Sequence, residues 1–234
     1  MMKRSVRSAI VIVAILAVGC SSTKKNPDDV RRLSQREADA LATENSQFET
    51  ANDPPISADT HFAAGQLAEA QEQPGRAIDQ YKATLKVNPN YHAALFRMGD
   101  LYTQMKMFPD AIDTWQRYIK LTNGAAAGYN NLGFTYEMAR DPKNAEAAYK
   151  RGIARDPRDQ ACRTNYGLML ARQGRIAEAT EQFSAVLKPA EVHYNLGSVF
   201  EQQGKPDLAR AEYHKALILD PTLHDAKERL AALK

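Results

Sequence analysis

Cysteine is scarce in this chain: there are two, Cys20 and Cys162, in 234 residues. That number leaves neither a disulfide framework nor a cysteine-based zinc site. Long apolar runs are missing as well. The run from Ala9 to Val18 has ten residues, about half of what a helix needs to cross a bilayer core. Charge of one sign is also lacking, since 31 Lys and Arg face 28 Asp and Glu. The excess of three sits in Lys3, Arg4 and Arg7, and residues 1–19 hold no acid, so the remainder balances at 28 against 28. A neutral remainder argues against nucleic acid or an anionic membrane surface as the main partner. Catalytic signatures do not occur either: there is no G-x-G-x-x-G, Walker loop, G-x-S-x-G or H-E-x-x-H pattern. The five histidines, His61, His92, His193, His214 and His224, show no metal-ligand spacing within one helix. No metal and no cofactor is implied, and an enzymatic reading has no residues to rest on. With 44% hydrophobic and 25% charged residues, the composition is still that of a folded chain.

What is present begins with an export signal. Lys3, Arg4 and Arg7 form a positive start, Ala9 to Val18 an apolar stretch, and small residues lead into Cys20, the layout of a cleavable secretory signal over residues 1–19. Its end, Leu16-Ala17-Val18-Gly19-Cys20, resembles the lipobox of bacterial lipoproteins, with Ala17 where leucine is commonest. The resemblance implies lipidation at Cys20 and a membrane anchor, since each buried acyl methylene contributes about 0.8 kcal/mol. Ser21 rather than aspartate follows the cysteine, and by resemblance to the Gram-negative sorting rule this points to the outer membrane, facing the periplasm. Residues 20–57 read as the anchor and a tether. They are rich in Ser, Thr, Asn, Asp and Lys, with Pro27 near one end and Pro54-Pro55 near the other. Val30, Leu33, Ala38 and Leu41 allow a short amphipathic helix, but few apolar groups are available to offset the ordering entropy, which favours a mobile spacer.

The rest is periodic. Gly65, Gly99, Gly133 and Gly167 recur every 34 residues, and Gly197 follows after 30. Twelve residues beyond each glycine stands an alanine: Ala77, Ala111, Ala145, Ala179 and Ala209. Four further on stands an aromatic: Tyr81, Trp115, Tyr149, Phe183 and Tyr213. Pro89, Pro157 and Pro221 mark a fourth column, where Asn123 is the exception. These columns resemble the tetratricopeptide repeat, a helix–turn–helix unit of 34 residues. With glycine as position 8 the repeats fall at 58–91, 92–125, 126–159, 160–189 and 190–223. The implied fold is all-α: a right-handed α-solenoid of about five repeats, with residues 224–234 as a capping helix whose apolar side is Ala226, Leu230, Ala231 and Leu233. Small residues at positions 8 and 20 let two helices approach, and the aromatic at position 24 fills the space beyond them. Repeat four is four residues short. Its second helix, read as about Ile176 to Leu187, runs straight into Lys188-Pro189, so either a tight or kinked junction with repeat five follows or loop residues are lost without effect. Cys162, at position 3 of a first helix, reads as a small hydrophobe.

In the resembled family the first helices line a concave groove that binds a protein or peptide, chiefly through positions 2, 5, 9, 12 and 13. Carried over, these give Phe62, Phe96, Asp100, Asn130, Phe134, Glu137, Tyr194 and Glu201 as candidate groove residues, with Gln66, Glu69, Gln104, Thr164, Leu168, Arg172 and Ser198 beside them. Phe62, Phe96 and Tyr194 share position 5, where an exposed anchor and sideways packing on neighbouring helices are both open readings. Asp100 and Glu137 add negative charge suited to a partner segment carrying Lys or Arg. The Lys and Asn pair with which chaperone-binding members clamp a terminal carboxylate is replaced here by Phe62 and Gln66, Phe96 and Asp100, and Asn130 and Phe134. Asn131, Asn165 and Asn195 at position 6 are candidates to bond a ligand backbone. The combination is similar to the repeat lipoproteins of Tad and type IV pilus assembly, and also to lipoproteins that scaffold peptidoglycan enzymes. The expected function is a membrane-anchored scaffold in the bacterial cell envelope, with a self-associating structural envelope protein, a homo-oligomer, as the alternative.

Overall fold

The computed structural model describes residues 56–233. The expected signal, the anchor at Cys20 and the tether up to Pro55 lie outside the described residues. Among the described residues there are eleven helices and no strand: α1 Ala58–Ala70, α2 Pro74–Val87, α3 His92–Gln104, α4 Phe108–Leu121, α5 Ala126–Met138, α6 Pro142–Arg155, α7 Gln160–Arg172, α8 Ile176–Ser184, α9 Pro189–Gln202, α10 Pro206–Leu219 and α11 His224–Ala232. They form five helix–turn–helix pairs, α1 with α2 through α9 with α10, and α11 follows. The chain is all-α and solenoidal.

Every turn inside a pair is built alike. The N–H of Gln73 donates to the Ala68 carbonyl at 2.9 Å, Met107 to Tyr102 at 2.9 Å, Asp141 to Tyr136 at 2.8 Å, Arg175 to Leu170 at 2.9 Å and Lys205 to Phe200 at 2.9 Å. This is the six-to-one bond of a Schellman turn, which needs one left-handed residue. Glu72, Lys106, Arg140, Gly174 and Gly204 supply it, all at position 15, with φ between 56° and 80°. Second helices then start on Pro74, Pro142 and Pro206, where a missing N–H removes no intrahelical bond.

Packing within a pair follows from the three columns. The alanines at position 20 are fully buried, and the aromatics at position 24 are at most 1% exposed. A Cβ built on Gly133 or Gly197 would lie 2.7 Å from a ring carbon of Tyr149 or Tyr213, so only glycine lets the ring lie flat on the first helix. First helices of successive pairs also touch each other, α3 on α5, α5 on α7 and α7 on α9, whereas second helices have no comparable contact. The stack is therefore tighter on the first-helix side, and that side is the concave one.

The shortened fourth repeat is resolved differently from the sequence expectation. The missing residues come out of α8, which has 9 residues where the other second helices have 14. It ends at Ser184, so residues 185–188 still form a turn and Pro189 stands at the start of α9 with no kink inside a helix. The Lys188 N–H, freed at that start, donates to the Glu191 carboxylate at 2.9 Å. At the far end α11 buries Ala226 and lays Leu230 and Leu233 against Tyr213 and Ala216, leaving Asp225, Lys227, Glu228 and Arg229 exposed.

Candidate protein-interaction groove

The concave face is shaped first by what is withdrawn from it. At position 12 the first helices carry Glu69, Thr103, Glu137, Ala171 and Glu201, and the aromatic twelve residues later matches each in hydrogen-bonding capacity. The hydroxyl of Tyr81 donates to Glu69, that of Tyr149 to Glu137 at 2.7 Å and that of Tyr213 to Glu201 at 2.6 Å. Trp115 Nε1 reaches Thr103 Oγ1 at 3.4 Å, and Phe183, which has no donor, faces a chain with Ala171 at that position. Each glutamate is also held by an arginine from beyond its own pair. Arg97 pairs with Glu69, Arg172 with Glu137 at 2.6 Å, and Arg229 of α11 with Glu201 at 3.5 Å. Burial, then the neighbouring carboxylates, push these tyrosine hydroxyls well above the usual phenol range, so they remain donors.

This corrects two of the candidate residues. Glu137 is not the free carboxylate that a basic partner segment would need, and Glu201, the other candidate groove glutamate, is compensated by tyrosine and arginine in the same way. The sequence did carry the signal, a constant spacing of twelve between Glu and Tyr, Thr and Trp, and Ala and Phe. The arginines, 28 or 35 residues away, had no such column.

The position-5 aromatics turn sideways. Phe62 is half-buried with its ring 4.9 Å from Tyr91 and 5.4 Å from Tyr81. Phe96 stands edge-on to Trp115 at 5.2 Å and to Tyr118 at 5.5 Å, and Tyr194 lies 5.8 Å from Tyr213. Of the two open readings, packing describes all three. Asn130 is buried, accepting from Asn165 Nδ2 at 2.9 Å and donating to Asn131 at 3.3 Å, so it ties α5 to α7. Asn195 donates back to the Glu191 carbonyl at 2.9 Å. Asp100 is half-buried and accepts from Gln104 at 3.0 Å, and Phe134 is 44% exposed.

The remaining surface is specific in character. Phe134 and Met138, four residues apart on α5, are both 44% exposed and so form one apolar spot at the centre of the concave face. On the first helices to either side, α3 carries Asp100 and Gln104 and α7 carries Leu168 and Arg172, the last paired with Glu137. An exposed aromatic and thioether set in a polar surround is the composition of a protein contact rather than of a reaction centre. Among the described residues no group of three His, Cys, Asp or Glu is placed to hold a metal ion, and no helix is long and apolar enough to cross a membrane.

The other reactive side chains serve the scaffold. His61 Nδ1 lies 2.9 Å from Gln80 Oε1 and His193 Nδ1 lies 2.6 Å from Glu212 Oε2. Arg163 donates to Gln182 at 2.8 Å, so in three repeats position 4 is stapled to position 23. Cys162 is buried, its Sγ 3.5 Å from the Ala126 carbonyl, and burial pushes the thiol up to about 12.

Fold and groove together define the class: a helix-pair solenoid that offers one curved face to a protein partner. Two tetratricopeptide-repeat family models match the chain, one over residues 62–128 and 136–191, the other over 190–223, and the chain belongs to the tetratricopeptide-repeat family. The type IV pilus assembly protein PilF of Pseudomonas aeruginosa is 27% identical over 133 residues, covering 54% of this chain and 53% of that protein. Among solved structures, MamA superposes with a TM-score of 0.57 at 24% identity, over 72% of this chain and 94% of that one. PilW, described as a type IV pilus biogenesis factor, does so with a TM-score of 0.55 at 17% identity, over 71% and 79%; both share the fold. The chain spans between 9% and 53% of the length of the curated relatives it matches.

Proposed function

We propose that the chain is a lipid-anchored scaffold of the bacterial cell envelope, held by Cys20 at the outer membrane and facing the periplasm, which grips a protein partner in its concave face during pilus assembly. One observation carries the scaffold reading: the groove glutamates Glu69 and Glu137 are compensated internally while Phe134 and Met138 stay exposed at its centre. Energy at such a surface concentrates in a few anchors, and the polar rim excludes water around them. The envelope location rests on the sequence ending Gly19-Cys20, and the pilus reading on the likeness to PilF. Cys20→Ala tests the anchor. The variant is expected to lose metabolic lipid labelling and to leave the membrane fraction or stay unprocessed; unchanged membrane association without an acyl group on the wild type would overturn it. Crosslinked pull-down of the anchored chain from envelope membranes tests the partner. Pilus-assembly proteins recovered with the wild type and lost with Phe134→Asp support the reading, and cell-wall hydrolases recovered instead would replace it.

A further inference from the structure

The side of the stack opposite the groove carries clefts between successive second helices, and three of them sit at the same register of the repeat. The first, of about 510 Å³ between α2 and α4, sets Lys82 and Arg117 among Asp110 and Asp113. Another, of about 420 Å³ between α8 and α10, is where Lys215 and His193 hold Glu212 at 2.7 and 2.6 Å. The third opens between α4 and α6 over α5 and holds about 250 Å³. It differs from the others in charge: Arg151 is the one charged group of its lining, and no carboxylate among the described residues bridges it.

The sequence shows why this cleft holds no carboxylate of its own. Positions 22 and 23 hold Asp79 and Gln80, Asp113 and Thr114, Glu181 and Gln182, and Ala211 and Glu212, but Ala147 and Ala148 in repeat three. The staple between positions 4 and 23 seen in repeats one, four and five is therefore absent. Tyr129 stands at position 4 with Ala148 opposite, and its hydroxyl and that of Tyr136 bond no other described residue. The floor is apolar, made of Ile119, Leu132 and Ala148, and the walls add the amides of Gln116 and Asn144.

At about 250 Å³ the space is below the roughly 300–1,000 Å³ usual for small-molecule sites and suits a single side chain. We infer that this cleft is a second binding site, receiving an acidic side chain of a protein partner, with its methylenes on Ile119, Leu132 and Ala148 and its carboxylate on Arg151. An arginine fork matches a carboxylate with two parallel bonds, and such charge-assisted bonds are about twice as strong as neutral ones. The tyrosine hydroxyls and the Gln116 amide supply further donors, while Asn144 Nδ2 already donates to Asp141 at 2.6 Å. The site is independent of the groove and of any membrane anchor.

The test is a titration of the full chain, held in detergent, with N-acetylglutamate amide and separately with N-acetylglutamine amide, followed by amide NMR. The glutamate compound is expected to shift the signals of residues 144–151 and 129–136 saturably at millimolar concentration, with the glutamine compound at least about tenfold weaker. Arg151→Gln should remove the difference between the two compounds. Ala147→Phe, at an exposed position on the cleft wall, should fill it and abolish both responses while signals elsewhere stay in place. Equal responses to the two compounds, a preference that survives Arg151→Gln, or no saturable shift at the cleft would each overturn the assignment.

Discussion

Glycine at position 8 and glutamate at position 12 make opposite demands on a substitution, and both can be measured. Gly133→Ala would force Tyr149 off the first helix, because the new methyl would sit 2.7 Å from the ring. Overpacking of this kind costs about 1–3 kcal/mol, more than the roughly 0.5–1 kcal/mol that alanine gains over glycine inside a helix, so the denaturation midpoint should fall. Glu137→Leu would leave the buried Tyr149 hydroxyl without an acceptor and Arg172 without its partner, a loss of about 1–3 kcal/mol. Asp100→Asn, which keeps an acceptor for Gln104, should change stability by less than about 0.5 kcal/mol. Equal effects of the two changes would show that the Tyr–Glu–Arg set holds nothing. At the left-handed position 15 the sign reverses. Arg140, with φ of 61°, should gain about 0.5–1 kcal/mol on replacement by glycine, since the left-handed conformation costs an L side chain about 1–2 kcal/mol and the looser unfolded glycine returns part of that. Gly204→Ala should lose a comparable amount, and a denaturation curve that moves the same way for both would contradict the turn geometry.

Single helices depend on how they are fastened to the next repeat. Between repeats three and four, Glu146 of α6 accepts from Tyr166 of α7 at 2.8 Å and from Arg175 at 2.8 Å, and Lys150 lies 2.6 Å from it. Arg175 first, then Lys150, lower its pKa from 4.5 to about 2. A carboxylate with a depressed folded pKa contributes stability above its unfolded pKa and loses it as pH falls through the folded one. Melting temperature should therefore drop between pH 4.5 and about 2, and Glu146→Gln should start lower at neutral pH and drop less over that window; parallel pH profiles for the two proteins would refute the pairing. At the open end, deletion of residues 224–234 should lower melting temperature or solubility, because it uncovers Tyr213 and Ala216 and frees Glu201; a truncated chain that melts unchanged would show that α11 covers nothing. Much of this scale was legible beforehand. Columns at positions 8, 20 and 24 carry the packing of each pair, since one glycine, one alanine and one ring meet in every repeat. The end of α8 was not legible, because a four-residue deletion shows in the spacing but not whether helix or turn gives it up.

Across the whole molecule, register was readable and exposure was not. Repeat positions alone put Phe96 and Phe134 on the first-helix side, yet Phe96 leans on Trp115 and Tyr118 while Phe134 stays 44% exposed. The difference depends on which rings come from the second helix of the same repeat, information spread over some twenty residues of sequence. Likewise Glu137 and Asp100 looked alike as groove acids until Arg172, 35 residues from Glu137, claimed one of them. The central claim is that a partner is held at Phe134 and Met138 while the neighbouring aromatics belong to the scaffold. Phe134→Ala and Phe96→Ala in the anchored full chain, each followed for melting temperature and for affinity to a crosslink-identified partner, separate the two roles. Phe134→Ala should weaken binding by about 2 kcal/mol, roughly thirtyfold, with melting unchanged, whereas Phe96→Ala should lower the melting temperature first, through loss of a half-buried ring contributing on the order of 2 kcal/mol. A folded Phe134→Ala protein that binds its partner as tightly as the wild type would contradict the account and move the partner site off the concave face.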